Sequence, residues 1–262
     1  MHRCVAGLGV LVWGAVSWGQ VTGSVVVGTP VLPGSTFINA SSALGVPPAV
    51  VSGGAVTPFS PPFLDSNIVV VRPGGSLTLG LSSAVPVLGG LQLGVFSNIG
   101  LIDVSAGGTG VAGSPAGTFS AFPRALVSVS SDGTSFFPLG AGPVTFSNPT
   151  NRFLDVAPWT GYSPQPGAVE SDVFKAFFGG FSDFSGKTYA EMLPLFGGSA
   201  GGTWLDLSAS GLSSVGFVRF EVPAGADYRL VLDAVTAVVP EPAGAALGLA
   251  VAGLLLVSRR TR

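Results

Sequence analysis

The chain has 262 residues, of which 40 are glycine, 21 are proline and only 9% are charged. Seven basic and twelve acidic residues lie between Gln20 and Val239, so this region carries about −5 net charges and lacks the basic face that nucleic-acid binding requires. The one cysteine, Cys4, and the one histidine, His2, lie at the extreme N-terminus. If that segment is removed, disulfides, thiolate nucleophiles, Ser-His-Asp triads and zinc sites built on His and Cys are excluded.

The N-terminus has the pattern of a secretory signal peptide. Arg3 precedes an apolar run from residue 4 to residue 16, and the small residues Ser17 and Gly19 suit the −3 and −1 positions of a cleavage site. We therefore predict that residues 1–19 form a signal helix that is cleaved after Gly19. The alternative is a buried core helix, which the N-terminal position and the Gly/Val/Thr-rich continuation disfavour.

The C-terminal segment combines a short acidic motif, an apolar run and a basic end. These parts are Pro240-Glu241-Pro242, the uncharged run Ala243–Val257, and Arg259, Arg260 and Arg262. We predict a transmembrane helix over residues 243–258; with Pro242 it would be about 25 Å long, somewhat short of a hydrocarbon core of about 30 Å. Because positive residues stay on the cytoplasmic side, residues 20–239 are expected outside.

This order and spacing resemble the PEP-CTERM sorting signal of bacteria that make exopolysaccharide. The resemblance covers residues 239–262 and implies processing by a membrane protease of the exosortase type. It assigns the motif to Pro240, Glu241 and Pro242, and the basic end to Arg259 and Arg260 among others. It further implies membrane anchorage before processing, followed by a location at the cell surface or in the extracellular matrix. The alternative is an ordinary C-terminal anchor that is never cleaved.

Period-two patterns dominate the region between the two ends and predict β-strands. Leu77, Leu79 and Leu81 alternate with small polar residues, and Val218, Phe220 and Val222 alternate with Arg219 and Glu221. The run 125–130, the turn Asp132-Gly133 and the run 134–139 predict a hairpin. The expected fold is all-β: an antiparallel, jelly-roll-like β-sandwich over residues 65–238, preceded by a Gly/Pro/Ser/Val-rich segment, residues 20–64.

One or two short helices are expected within this β domain. Thr188 and Glu191 have the spacing of a capping box, and Gly197 can end the helix in the left-handed conformation. A second helical turn is expected around residues 173–178, and Trp204 is expected in the core.

The same region resembles bacterial surface domains with a discoidin-like, galactose-binding-type jelly roll. The strings that carry the resemblance are RALVSVSSDGTSFFPL (residues 124–139), GGTWLDL (residues 201–207), GLSSVGFVRF (residues 211–220) and LVLDAV (residues 230–235). Where such domains often have an acidic residue after Val-Phe, this chain has Ser97, which weakens any metal site carried over from them.

Three kinds of binding or catalytic residues are candidates. Trp159 and Tyr162 lie in a Pro/Gly-rich loop and could stack on sugar rings, or simply pack that loop against the sandwich. Asp103, Asp206 and Asp233 could help hold a structural Ca²⁺, although capping and turn roles suit them as well. A pair of carboxylates for glycoside hydrolysis could come from Asp155, Glu170, Asp172, Asp183 and Glu191.

The sequence therefore predicts an exported surface or matrix protein without catalytic activity and without a required cofactor. Its expected partners are the sorting protease, the membrane through the C-terminal helix, and exopolysaccharide, but not nucleic acid. One alternative is a carbohydrate-binding module that acts on exopolysaccharide. A carboxylate-based glycoside hydrolase is the other.

Overall fold

The computed structural model describes residues 19–106, 110–113, 122–155 and 164–239. Residues 20–239 belong to one compact unit. The predicted sorting segment except Val239, the loop that contains Trp159 and Tyr162, and the predicted signal peptide except Gly19 lie outside the described residues. In the part of the chain that is described, no helix is both long and apolar enough to cross a membrane.

The described residues form short and medium strands, one α-helix and three turns of 3-10 helix. The strands are β1 Gly19–Val26, β2 Val50–Val51, β3 Gly54–Ala55, β4 Val69–Val71, β5 Gly75–Pro86, β6 Leu91–Ser97, β7 Arg124–Ser130, β8 Phe137–Pro138, β9 Val144–Thr145, β10 Thr203–Asp206, β11 Ser214–Val222 and β12 Leu230–Val239. The helix α1 is Tyr189–Phe196, and the 3-10 helices are Ala40–Ala43, Phe181–Phe184 and Leu207–Ser210.

Ten of these strands form one curled sheet, which resembles a half-barrel. Its main path is β10-β6-β12-β1-β5-β11-β7-β8, while β4 pairs with β12 and β9 pairs with β7. The following pairs in this sheet are antiparallel: β1–β5, β5–β11, β11–β7, β7–β8, β7–β9, β12–β4, β12–β6 and β10–β6. Strands β2 and β3 form a separate two-stranded sheet.

An aliphatic core lies on the concave side of this curled sheet. Strands from both ends of the path contribute to one cluster, which includes Leu93 and Val95 of β6, Val127 of β7 and Phe220 of β11. Residues from distant strands can share one cluster because the sheet curls around it.

A second core, rich in aromatic residues, packs against the opposite face. Trp204 of β10 belongs to this cluster, whereas its neighbour Leu205 packs against the aliphatic core, as strand alternation requires. The rings of Phe177, Phe184 and Phe196 lie 5.2–5.9 Å apart at its centre. The helix α1 is held here by its buried residues Tyr189, Met192 and Phe196.

The alternating patterns predicted the main strands correctly. Leu77 and Leu79 of β5 and Val218, Phe220 and Val222 of β11 are buried, while Glu221 is exposed. The capping box of α1 is confirmed as well, since Thr188 Oγ1 accepts from the Glu191 N–H, the Glu191 carboxylate accepts from the Thr188 N–H, and Gly197 ends the helix at a φ of 57°.

Three details differ from the expectation. Ten of the twelve described strands form one curled sheet through the central strands β1 and β5, whereas the expected sandwich has two packed sheets. In the β7–β8 hairpin the second strand is only Phe137–Pro138, because the Asp132 carboxylate accepts from the N–H groups of Thr134 and Ser135 and holds a longer loop. The helical turn expected around residues 173–178 is not a helix; the Asp172 carboxylate accepts from the Phe174 N–H and holds a turn instead.

Candidate ligand-binding site

Two tight turns lie side by side at one end of the curled sheet. In the turn from β4 to β5, the Gly75 N–H donates to the Arg72 carbonyl at 2.8 Å, with Pro73 at the second position and Gly74 at a φ of +80° at the third. A type II turn requires this positive φ, which glycine adopts without strain. The Gly74 N–H also donates to the Val222 carbonyl at 2.8 Å, which ties this turn to the end of β11.

The second turn follows β11 and also has a glycine at its third position. The Ala226 N–H donates to the Pro223 carbonyl at 3.2 Å, and Gly225 supplies a positive φ of 81° at the third position. The chain then leads through Asp227, Tyr228 and Arg229 into β12. These three residues line one cavity together with Arg72 and Pro73 of the β4–β5 turn.

Strand register brings three arginines to this end of the sheet. Strand β4 pairs with β12 so that Val71 lies opposite Leu230, which places Arg72 opposite Arg229 one position beyond the paired residues. The Arg124 N–H at the start of β7 donates to the Arg229 carbonyl at 2.9 Å. Three of the seven basic residues between Gln20 and Val239 thus gather at one place.

A cavity of about 290 Å³ lies between these segments. It is lined by Arg72, Pro73, Phe122, Ala226, Asp227, Tyr228 and Arg229. The Tyr228 ring is held by Arg124, whose Cζ lies 5.0 Å from the ring centroid. The Phe122 ring packs edge-to-face on Phe181 at 4.9 Å. Both aromatic rings of the lining are therefore fixed by neighbours and offer preformed surfaces.

The arginines at this cavity are not neutralised by carboxylates in the described part of the chain. Arg72, Arg124 and Arg229 form no ion pair with any carboxylate in the described residues, and the side chains of Arg72 and Arg229 are exposed. Arg124 Nε is buried without a hydrogen-bond partner in the same part of the chain. Asp227 is the acidic residue of the lining. The site therefore has an excess of positive charge within a domain that is negative as a whole.

The three aspartates proposed for Ca²⁺ have separate environments. The Asp103 carboxylate accepts from the N–H groups of Ser105, Gly110 and Val111 and from the Ser105 hydroxyl; burial opposes its ionisation, but these bonds prevail and lower its pKa. The Asp206 carboxylate caps a 3-10 helix by accepting from the Ser208 N–H. Within the described ranges, no group of three or more His, Cys, Asp or Glu side chains forms a metal site.

Asp233, the third of them, is fully buried beside an arginine. It is the extra residue of a bulge in β12, since Leu232 pairs with Ser97 but Ala234 pairs with Phe96. Neither carboxylate oxygen has a hydrogen-bond partner among the described residues. Burial raises the pKa of Asp233 well above its ordinary value, while the nearby Arg152 guanidinium acts in the opposite direction.

Arg152 itself is buried and has several partners. Its Nη2 donates to Glu170 at 2.7 Å, and its Nη1 donates to the Pro47 carbonyl. Burial lowers the pKa of Arg152, and the Glu170 carboxylate partly offsets this effect. Arg152 therefore connects the exposed Glu170 to the segment around Pro47, and it places a positive charge near the buried Asp233.

Carboxylates that could serve hydrolysis are held by local donors. Asp155 accepts from the Ala168 and Val169 N–H groups, which lower its pKa. Asp183 accepts from the Gly180 N–H, and the roles of Glu170, Asp172 and Glu191 are given above. Each of these carboxylates thus stabilises a turn, a cap or an ion pair.

Other predicted site residues lie outside the described part of the chain. These are Trp159, Tyr162, Pro240, Glu241, Pro242, Arg259 and Arg260. The arginine cavity is not evident from the sequence, because Arg72, Arg124 and Arg229 are far apart along the chain. One signal was available: Arg72 and Arg229 each lie beside a strand and a Pro/Gly turn in a chain that has few basic residues.

No protein-family model matches the chain, and no curated protein matches it significantly.

Proposed function

We propose that the chain is an exported, non-catalytic surface or matrix protein, anchored by a C-terminal helix and sorted by an exosortase-type protease. One observation carries the proposal: the compact unit runs from Gln20 to Val239. It thus begins directly after the cleavage site inferred from the sequence and ends directly before Pro240-Glu241-Pro242. A folded unit bounded by two processing signals is the arrangement expected of a displayed domain.

The β domain itself would be a discoidin-like, galactose-binding-type jelly roll. The antiparallel curled sheet with both faces covered supports this finer assignment, since jelly rolls fold an antiparallel sheet over a common core. In this proposal the domain serves as the displayed part, and the two ends of the chain serve as export and sorting signals.

Intact-mass analysis of the protein from its own envelope and medium tests the sorting proposal. We expect the wild type to lack residues 1–19 and the residues after about Pro242, whereas a Glu241→Ala variant should keep its C-terminal segment. Glu221→Ala, which removes an exposed glutamate of β11, is the matched control and should be processed like the wild type. If wild type and Glu241→Ala both retain residues 243–262, the segment is a plain anchor and the sorting proposal is wrong.

A second candidate function is binding of extracellular polysaccharide. The cavity at the turn end of the sheet favours it, because two fixed aromatic rings and several hydrogen-bond donors line a preformed depression. Aromatic rings bury the apolar faces of sugars, and polar groups at their edges bond the hydroxyls. Sedimentation of the full-length protein with the host's own polysaccharide tests this function, and a Tyr228→Ala variant should bind less.

A further inference from the structure

Arg72 and Arg229 lie one position beyond the last pair of β4 and β12, in which Val71 is opposite Leu230. Side chains directly opposite in an antiparallel pair have Cβ atoms about 5 Å apart, and like charges in such positions destabilise the pair. The register of β4 and β12 predicts this arrangement for the two arginines. An unfavourable pairing of this kind is relieved if an anion binds between the two guanidinium groups.

Nothing in the described part of the domain neutralises these charges. Asp227 lines the same cavity but forms no ion pair with either arginine. By contrast, the buried Arg152 is paired with Glu170 at 2.7 Å. The charges of Arg72 and Arg229 are therefore available to an external partner.

The net negative charge of the domain does not prevent an anion from binding here. At physiological ionic strength the screening length is about 8 Å, so distant carboxylates contribute little at the cavity. The groups that determine the local field are Arg72, Arg124 and Arg229, opposed by Asp227. The local balance is positive and favours a negatively charged ligand.

Guanidinium groups and aromatic rings together indicate what kind of anion fits. A planar guanidinium binds a planar carboxylate through two parallel hydrogen bonds. Tyr228 and Phe122 add apolar ring surface beside the arginines. The volume of about 290 Å³ is at the small end for ligand pockets, which suits one sugar unit of a longer chain.

We propose that this cavity binds a carboxylate-bearing sugar unit, a hexuronate, within an acidic polysaccharide. Arg72 and Arg229 hold the carboxylate, Tyr228 packs against the sugar ring, and Arg124 positions Tyr228 by lying over its ring. This inference rests on the second candidate function, polysaccharide binding, and names the class of polysaccharide.

Titration calorimetry with the full-length protein in detergent tests the proposal. The probes are oligomers of galacturonate, glucuronate and mannuronate, each beside its carboxyl-reduced, neutral form. We expect at least one uronate oligomer to bind and its neutral form to bind far more weakly. Arg72→Gln and Arg229→Gln should each weaken binding on the order of tenfold, since each removes a hydrogen bond to a charged group.

A matched control removes one positive charge elsewhere. Lys187→Gln lies outside the cavity lining and should bind like the wild type. The melting temperatures of Arg72→Gln and Arg229→Gln should not fall, which separates a binding role from a structural role. A lower melting temperature that accounts for the weaker binding would overturn the assignment of these arginines.

The remaining outcomes distinguish polysaccharide binding from its specificity for acidic sugars. If a neutral oligomer binds as tightly as its uronate, polysaccharide binding stands but the acidic specificity is wrong. If a glutamate peptide of equal charge or inorganic phosphate binds as tightly, the cavity is a general anion site and the sugar assignment is wrong. If none of the saccharides binds while the host's own polysaccharide still sediments with the protein, the hexuronate assignment is wrong. If that polysaccharide does not bind either, polysaccharide binding is refuted as well.

Discussion

Arg152 and the pair Arg72/Arg229 show two opposite ways in which this protein treats a positive charge. Arg152 is buried, donates to Glu170 and to the Pro47 carbonyl, and lies near the carboxylate of Asp233. Arg72 and Arg229 are exposed, lie next to the paired ends of β4 and β12, and have no ion-pair partner in the described residues. A buried charge must be paired for the fold to be stable, whereas an exposed one can remain free for a ligand.

This comparison assigns stability to one region and binding to the other. Substitutions at Arg152 and Asp233 should change the free energy of unfolding strongly. Substitutions at Arg72 and Arg229 should change it little.

The largest effect is expected for Arg152→Met. This change removes the hydrogen bond to the buried Pro47 carbonyl and the positive charge near Asp233, and leaving a buried acceptor without its partner costs about 1–3 kcal/mol. Urea unfolding measures the loss. Lys187→Met, at a less buried position, should change the stability by no more than about 0.5 kcal/mol.

A double variant shows whether Asp233 is the reason for that loss. In the Arg152→Met background, Asp233→Asn should be less destabilising than in the wild type, because the arginine charge that interacts with Asp233 is already absent. If the effects of the two substitutions are simply additive, Arg152 does not act through Asp233, and the role given to the buried Arg152 in this comparison is wrong.

The next effect is a pH dependence that originates from Asp233. Its pKa is raised by burial in the folded state, so the folded protein holds a proton that the unfolded chain has released. The stability that this bound proton gives to the folded protein is fully present below the ordinary aspartate pKa, near 4. It is lost as the pH rises towards the pKa of Asp233 in the folded state. In this window the stability should fall by up to about 1.4 kcal/mol per pH unit.

Urea unfolding at a series of pH values measures this slope. Asp233→Asn should flatten it, because the amide does not titrate. Asp206→Asn, at an exposed capping position, is the control and should leave the slope attributed to Asp233 in place. An unchanged slope in Asp233→Asn would show that another group is responsible.

The sequence predicted the strands with clear alternation because one face of each is buried and the other is not. The capping box at Thr188 and Glu191 was predictable for a similar reason, since it is formed by residues three positions apart. The bulge at Asp233 was not predictable, because a single extra residue is defined only by the partner strand, β6. The curl of the sheet also depends on which strands pair across long distances.

The arginine cavity was not predictable from the sequence for the same reason, since it depends on which strands pair. Its two turns have clear local signals, Pro73-Gly74 and Pro223-Ala224-Gly225. What makes it a site is the pairing of β4 with β12, which places Arg72 opposite Arg229. That register depends on burial of Val69, Val71, Leu230 and Leu232 in the aliphatic core, so these residues determine the site although they do not line the cavity.

A smaller effect is expected for Arg124→Gln. The guanidinium over the Tyr228 ring, 5.0 Å from its centroid, contributes about 0.5–1 kcal/mol as a cation–π contact. Urea unfolding should show this loss in the wild type but not in a Tyr228→Leu background. Equal losses in both backgrounds would mean that Arg124 stabilises the protein through some other contact.

The smallest effect, opposite in sign, is expected for Arg72→Gln and Arg229→Gln. Either change removes a like-charge pair across β4 and β12, so the free energy of unfolding should rise by about 0.2–0.5 kcal/mol. The gain should vanish in 1 M salt, where the screening length is only about 3 Å. Added uronate should reverse the order, because a ligand that binds only the folded wild type stabilises it alone. Destabilisation of both variants without ligand would show that these arginines support the fold, and the contrast with Arg152 would then be wrong.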